Sequence, residues 1–275
     1  MIFNSITKKG VFFRKDAFFI GLVLLWGMVW GAFADGSVAT AGCSAPTIDE
    51  YVQVRTVIDG DTIRLSNGTS VRLIGINTPE MGYDGAISQP LARAARQFLE
   101  AEIRQHQRIG LVYGEDRQDR HGRQLAHVFV SDNGTAQNVQ QLLLEQGLAF
   151  WVAVAPNTRF LPCYRAAEAK AVTAQTGVWS EAYYQPKNAA DEQALAPGFQ
   201  LLRGTIVAVF ETKNYFWLKF NDTVALRIAP KDMHNFQRSE LVALKGKTVT
   251  ARGWMFKHKN RLTMQISHPA AIAVD

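Results

Sequence analysis

Acids stand at both ends of the segment IDGDTIRLSNGTSVRLIGINTPE (58–80), and Arg72 interrupts the apolar run VRLIGI between them. A hairpin needs only alternating apolar residues and a turn. Three carboxylates, two asparagines and two arginines are more than its folding asks for. Asp59 and Asp61 flank Gly60 where one strand gives way to the next, and Asn77, Thr78 and Glu80 follow directly on the apolar run. If the strands are neighbours, Asp61 meets the Asn77–Glu80 corner at the end of a sheet. Carboxylate, amide and carbonyl oxygens gathered in one place suit a hard cation such as calcium. Without a cation the same residues are turn-formers and caps, and DG and NTP are common turn sequences.

Arg72 tips the balance toward chemistry. On a strand it shares a face with Ile74 and Ile76, which lays its guanidinium along an apolar wall beside the acids. A buried arginine without a partner is costly. A salt bridge to Asp61 or Glu80 would answer that cost, and so would a phosphate. The stretch GEDRQDRHGRQ (114–124) adds Arg117, Arg120 and Arg123, the last set behind Gly122. Two guanidiniums from separate elements facing one carboxylate and a cation would suit phosphodiester cleavage. Guanidiniums bind phosphate in a fork and stabilise its growing charge. The carboxylate activates a water, and a cation polarises a phosphate oxygen.

The elements that must position these groups are legible in outline. Residues 51–57, 61–66 and 70–76 alternate apolar and polar side chains, with Asn67-Gly68 as a hairpin turn. SQPLARAARQFLEAEIR then takes helical spacing, with Leu91, Ala95, Phe98 and Ile103 on one face and Ser88 and Pro90 as start signals. Strands are expected at 109–113 and 125–130. Helices follow in NVQQLLLEQ and YRAAEAKAVTAQ, each closed by a glycine, Gly147 and Gly177. Five short strands with a helix after the third predict a β-rich α+β fold, a five-stranded OB-type barrel with helices. Residues 183–199 (YYQPKNAADEQALAPGF) are weakly patterned and read as a linker. Three strands, a helix and two strands come again after it. A second small OB-like β-barrel is therefore expected over 200–275.

Composition assigns the rest. Lys8, Lys9, Arg14 and Lys15 precede an apolar run, AFFIGLVLLWGMVWGAFA, that ends in an A-x-A pattern at Ala34. That describes an export signal over residues 1–34, cleaved after Ala34; the competing reading is an uncleaved membrane anchor. TAGC (40–43) faintly resembles a lipoprotein cysteine box. Its Thr40 and its distance from the apolar run speak against it. Cys43 and Cys163 are the only cysteines, and in an oxidising compartment two such cysteines form one bridge more often than they stay free. Neither they nor the histidines have zinc-site spacing. Residues 35–200 carry 14 basic and 18 acidic side chains, net −4; residues 201–275 carry 12 and 5, net +7. A basic tail on a mildly acidic body points to an anionic partner, nucleic acid or an anionic membrane surface, or to a merely solvated face.

The ordered series IDGDT, VRLIGINTPE, DRHGR, NVQQLLLEQGLA and AEAKAVTAQTGVWS, over roughly 51–181, resembles the staphylococcal-nuclease (thermonuclease) family. The resemblance implies an OB barrel with helices in residues 35–182. It also implies calcium-assisted attack of water on phosphorus, which cleaves the 5′ P–O bond of DNA or RNA and leaves 3′-phosphate ends. Asp61 matches the family's calcium carboxylate, and Thr78 matches the residue whose backbone carbonyl reaches the ion. Glu80 matches the proposed general base, and Arg72 and Arg123 match the arginines that clamp the phosphate. Arg120 and His121 fall at the nucleotide-contacting turn. Three departures stand out. Asn77 replaces the second calcium aspartate, so weaker or less selective metal binding is expected. His121 replaces a nucleotide-contacting tyrosine. Ala153 and Ala155 stand where two pocket tyrosines fall, while Phe150 and Trp151 nearby read as core.

In the tail, Tyr215, Phe216, Trp217, Trp254, Phe256, Lys257, His258, Lys259 and Arg261 interleave aromatic and basic side chains. OB barrels hold single strands in this way, although the same tryptophans would serve equally as core. Three functional readings follow. The first is a secreted or periplasmic Ca2+-dependent nuclease acting on DNA or RNA. The second is a catalytically silent nucleic-acid-binding module on a nuclease scaffold, for which Asn77 is the main support. The third is a membrane-tethered adaptor. No obligate protein partner is indicated, and a monomer is expected.

Overall fold

Arg72 lies on one strand and Arg123 immediately before the neighbouring one because of how the first sheet is threaded. This computed structural model describes residues 43–45, 47–132, 134–258 and 260–275, with the side chain of Asp132 excepted. The export signal, its cleavage point and all of TAGC but Cys43 lie outside the described residues. β1 (Glu50–Val52) and β2 (Val54–Asp59) are separated by Gln53 alone. The expected strand 51–57 is thus broken by an irregularity, visible as a register shift between Val54 and Thr56. β2, β3 (Thr62–Leu65) and β4 (Ser70–Leu73) form an antiparallel meander. β4 then runs parallel to β7 (Gln124–Asp132), β7 pairs with β6 (Ile109–Gln118), and β6 pairs with β1. β8 (Thr135–Asn138) extends β7. Both ends of the path belong to one stretch of chain, so the sheet curls into the barrel-like form expected of an OB-type fold.

Three helices close this barrel. α1 (Ala92–Arg104) buries Ala92, Ala95, Leu99 and Ile103, the three-and-four spacing of an amphipathic helix. Of the expected row Leu91, Ala95, Phe98 and Ile103, Ala95 and Ile103 are buried and Phe98 only partly so, while Ala92 and Leu99 take the other inward positions. Leu91 takes a left-handed conformation (φ 64°) outside the helix, and that start sets which residues face inward. α2 (Val139–Glu145) opens on Asn138, whose side chain accepts from Gln141 N at 3.0 Å. α3 (Leu161–Ala174) ends at Gln175 (φ 51°) rather than at Gly177, and Gly177 instead packs backbone to backbone against Gly147. The core these elements share is mostly aliphatic, with Ile63, Val71, Leu73, Leu99, Leu111, Val128, Leu143 and Leu144 at 0% exposure. Each such side chain is worth about 1.5–3 kcal/mol of burial. Cys43 is bridged to Cys163 at the start of α3, across 120 residues.

The second sheet repeats that threading. β11 (Gly198–Thr205) and β12 (Ala208–Glu211) are nearly continuous, and β12, β13 (Phe216–Lys219) and β14 (Val224–Ile228) form an antiparallel meander. β14 runs parallel to β16 (Arg261–Gln265), β16 pairs with β15 (Thr248–His258), and β15 pairs with β11. α4 (Arg238–Ala243) lies between β14 and β15. β10 (Lys187–Asn188) and β17 (Ile272–Val274) are short additions to β11 and β15.

The two halves share buried contacts within one compact unit. A small two-stranded sheet, β5 (Ile76–Asn77) with β9 (Phe150–Trp151), ends the first half. Phe150, Val178 and Leu201 then form a common cluster with Leu91, Trp179, Tyr184 and Phe199 around it. Residues 183–199 are part of this packing: Tyr184 Oη donates to Pro90 O at 2.6 Å, and β10 joins the second sheet. Between the halves, Arg252 Nη1 lies 3.0 Å from both Glu168 carboxylate oxygens and donates to Trp151 O at 3.2 Å. Its guanidinium carbon stands 3.7 Å over the Trp151 ring. Among the described residues no helix is long and apolar enough to cross a membrane.

Candidate active site

The site forms where β2, β3, β4 and β5 end together. Gly60 permits the approach: a Cβ there would lie 2.7 Å from Ala95 Cβ and 2.8 Å from Thr78 Oγ1. Only glycine lets the Asp59–Asp61 turn sit against both α1 and the segment after β5. Asp61 is consequently buried, at 5% exposure. Its Oδ2 accepts from Thr78 N (2.9 Å) and Thr78 Oγ1 (3.1 Å) and pairs with Arg72 Nη2 at 3.0 Å. Its Oδ1 accepts from Thr62 Oγ1 at 3.2 Å. Of the two acids offered as partners for Arg72, Asp61 is the one that bonds it directly.

Arg72 is wrapped by the chain that follows it. Nη1 donates to Leu73 O at 2.6 Å and reaches Asp61 O at 3.5 Å. Nη2 donates to Ile76 O at 3.1 Å and to Asn77 Oδ1 at 3.3 Å. The wrap depends on Gly75, which turns the chain at φ 81° with Tyr164 close behind; a Cβ there would meet Tyr164 Cε2 at 2.5 Å. Gln140 of α2, fully buried, braces the strands behind. Its Oε1 accepts from Val128 N at 3.0 Å, and its Nε2 donates to Ile74 O and Ala126 O at 3.3 Å each.

Arg123 reaches the same region from the foot of β7, where Gln124 is in register with Val71 and Leu125 with Arg72. It is aimed by Asp119, whose Oδ2 accepts from Arg123 Nε at 2.7 Å and whose Oδ1 accepts from the backbone of Arg123 (3.0 Å) and His121 (2.8 Å). These bonds hold the Asp119 carboxyl below its usual range despite partial burial. Arg120 and His121 ride the exposed tip of this hairpin, with Arg120 Nε 3.1 Å from His121 Nε2. Arg117 lies in strand β6 and stacks on Tyr113, its guanidinium carbon 5.0 Å from the ring centre.

Glu80 is where the fields converge. The surrounding atoms and the charge of Asp61 push its carboxyl up, while Arg72 and Arg123 pull it down. One carboxylate thus feels both arginines and the buried aspartate, although its residue surface remains open to solvent. Its backbone is fixed to Gln89 by two bonds of 2.9 Å, Glu80 N to Gln89 Oε1 and Gln89 N to Glu80 O.

Asp59 also belongs here, though the sequence reading counted it among the clustered oxygens without giving it a role. Burial and then the adjacent charge of Asp61 raise its carboxyl to about 7, against a smaller opposing pull from Arg72. Its Oδ1 accepts from Asp61 N at 3.0 Å. The available signal was the spacing D-G-D itself, which folds both acids to one side of the turn. Two carboxylates pressed together against a single guanidinium leave negative charge that a hard cation would neutralise, and the donor set is all oxygen. Among the described residues no three His, Cys, Asp or Glu side chains group as a ready metal cluster. A cation here would therefore draw on the Asn77 amide, the Thr78 carbonyl and water as well as Asp61. Asn77 is 3% exposed and turns its amide toward Thr78 O (3.2 Å) and its oxygen toward Arg72, so it lends no negative charge.

Other expectations sort by burial. Phe150 and Trp151 are core, at 1% and 6% exposure, and Ala153 is buried beside them. In the second half Phe216 faces inward at 4% exposure, whereas Trp217 is only half-buried and Trp254 is 38% exposed. Neither tryptophan is core, because strand alternation puts both on the outer face.

The family model described as Staphylococcal nuclease homologue matches residues 70–181, which takes in Arg72, Asn77, Thr78, Glu80 and Arg123 but begins after Asp61. The thermonuclease of Staphylococcus intermedius is 34% identical over 133 residues, 47% of this chain and 76% of that protein. The thermonuclease of Staphylococcus hyicus is 29% identical over 148 residues, 53% of this chain and 84% of its own. Endonuclease YncB of Bacillus subtilis (strain 168) is 33% identical over 138 residues, 48% and 63% of the two chains. With its paired strands, arginine-lined sheet end and these relatives, the chain belongs to the staphylococcal nuclease homologue family.

Proposed function

We propose that this chain is an exported, calcium-assisted nuclease that hydrolyses phosphodiester bonds of DNA or RNA and leaves 3′-phosphate ends. The observation that carries the reading is the bonded cluster of Asp61, Arg72, Asn77 and Thr78 at the sheet end, with Glu80 beside it in the field of Asp61, Arg72 and Arg123. Relatives named thermonuclease and endonuclease support it, and the Cys43–Cys163 bridge supports an oxidising compartment.

In this reading Arg123 grips the scissile phosphate through its two Nη groups, its Nε being held by Asp119. Arg72, whose Nη groups are committed to Asp61, Asn77 and backbone carbonyls, adds its positive charge and its Nε–H. Together they stabilise the charge that grows as water adds. Arg72 is preorganised by carbonyls of its own turn and Arg123 by Asp119, so little reorganisation accompanies reaction. Glu80, with its proton affinity raised by burial, takes the proton from water as oxygen attacks phosphorus. The bond to the 5′ oxygen breaks, and that oxygen takes up a proton. Asp61, Asn77 and Thr78 would hold Ca2+, with Asp59 beside them, and the bound ion would supply charge neutralisation at a phosphate oxygen. Arg120 and His121 would contact the nucleotide from the hairpin tip.

The second half, residues 200–275, is read as an OB-like basic barrel that adds nucleic-acid affinity without performing chemistry. Its support is the repeated strand order and the net charge of +7 over 201–275. The silent-module reading draws on Asn77, whose amide spends both its ends on Arg72 and Thr78. One assay divides the two. Purified protein is incubated with denatured DNA with and without calcium, beside Glu80→Gln and Arg72→Lys. Calcium-stimulated cleavage that falls on the order of 100-fold or more in each variant is expected. Binding without cleavage at any calcium concentration would leave only the module.

A further inference from the structure

The outer face of the second sheet carries side chains that the phosphodiester chemistry does not use. β13 turns Phe216 and Leu218 into the core and Trp217 and Lys219 outward. Register extends that outward row across strands: Phe210 lies opposite Trp217, Trp217 opposite Arg227, and Arg227 opposite Gln265. Lys219, Ala225, Thr263 and Phe256 make the next row.

These residues form a built surface. Phe210, 43% exposed, stacks on Trp217 with ring centres 6.3 Å apart and planes 16° from parallel. Tyr215 meets Trp217 edge-on at 5.6 Å. The Arg227 guanidinium is held between two rings, 4.3 Å from the centre of Tyr215 and 4.2 Å from that of Phe256. Its Nη2 donates to Gln265 Oε1 at 3.2 Å, and its buried Nε has no hydrogen-bond partner. Among the described residues no carboxylate pairs with it. A cleft of about 410 Å³ opens here, lined by Phe210, Tyr215, Trp217, Lys219 and Arg261 among others. The lone acid in it, Asp222, pairs with Lys219 at 2.7 Å but is fully exposed, so a phosphate displaces it at little cost.

Flat rings open to solvent, interleaved with cations on a domain of net charge +7, match unpaired bases and their phosphates, since base faces stack on aromatic rings. A duplex hides those faces and presents phosphate alone. We propose that this face binds single-stranded nucleic acid, with bases stacked on Phe210 and Trp217 and phosphates against Arg227, Lys219 and Arg261. The assignment rests on the reading of residues 200–275 as an affinity-adding barrel and gives that reading its site.

The test uses the full chain with calcium chelated and fluorescein-labelled oligo(dT), oligo(U) or a hairpin duplex, read by anisotropy across a salt series. Phe210→Ala and Trp217→Ala should each weaken oligo(dT) and oligo(U) binding about tenfold, with duplex binding unchanged and the fold retained by circular dichroism. Trp217→Phe should restore binding to within about twofold, because a ring is retained. Arg227→Met should lower the slope of log affinity against log salt by about one. Salt-dependent oligo(dT) binding that the Phe210→Ala/Trp217→Ala double variant leaves unchanged would move the site elsewhere while sparing the affinity reading. Wild-type protein that shows no salt-dependent binding would end both.

Discussion

Removing Arg252 should uncouple the two halves of this chain, and the cost can be worked out from its contacts. Glu168 is 5% exposed at its side chain, and both its oxygens lie 3.0 Å from Arg252 Nη1. In Arg252→Met one protein hydrogen bond to that carboxylate remains, from Trp151 N at 2.9 Å. Deleting one member of a buried pair strands the other charge and costs about 3–5 kcal/mol, roughly 6–20 °C in midpoint for a chain of this size. The pH dependence carries the diagnosis. Burial already raises the Glu168 carboxyl, and Arg252 is the chief opposing influence. Without Arg252 the folded-state pKa climbs further above the unfolded value, so between the two the folded variant binds more protons than the unfolded chain. Its stability therefore falls as pH rises through that window, and the deficit relative to wild type shrinks toward acid pH. Urea denaturation at several pH values, with Glu168→Gln and the double variant completing a cycle, measures both quantities. A loss below about 1 kcal/mol that is independent of pH and additive with Glu168→Gln would refute the reasoning. The same contacts explain why truncation at residue 200 is a poor probe of the second half: it removes the partner of Glu168 as well as Leu201 from the shared cluster.

Asn77→Asp should tighten calcium binding by about tenfold or more in titration calorimetry, since it returns a negative charge to the oxygen cluster. It should also lower stability when calcium is chelated, because another acid then crowds Asp59 and Asp61. Burial, then the charge of Arg159, holds His127 down to about 3, and its Nδ1 lies 2.7 Å from Tyr164 Oη. The unfolded chain protonates this histidine first, so stability falls by about 1.4 kcal/mol per pH unit as pH drops below about 6.5. His127→Gln should flatten that slope in acid denaturation, and an unchanged slope would assign it to carboxylates. Reducing the Cys43–Cys163 bridge frees a loop of 120 residues. A loss of about 2–5 kcal/mol is expected, read as a lower urea midpoint under dithiothreitol.

Residue types and their spacing determined much of this protein. The oxygen donors at 59–80, the two arginines, the strand alternation and the Asn138 cap of α2 are local properties, and local properties survive in a string of letters. The pairing of Cys43 with Cys163 was also legible, because two cysteines allow one bridge. Tertiary structure alone decided which groups meet. Asp59 became part of the site only when burial beside Asp61 left two like charges in one place. Arg252 and Glu168, 84 residues apart, met because both halves needed to bury the surface between them. Phe216 and Trp217 are adjacent in sequence yet end on opposite faces, one in the core and one at a stacking surface, because the sheet's register and pleat fix which side of the strand is inside.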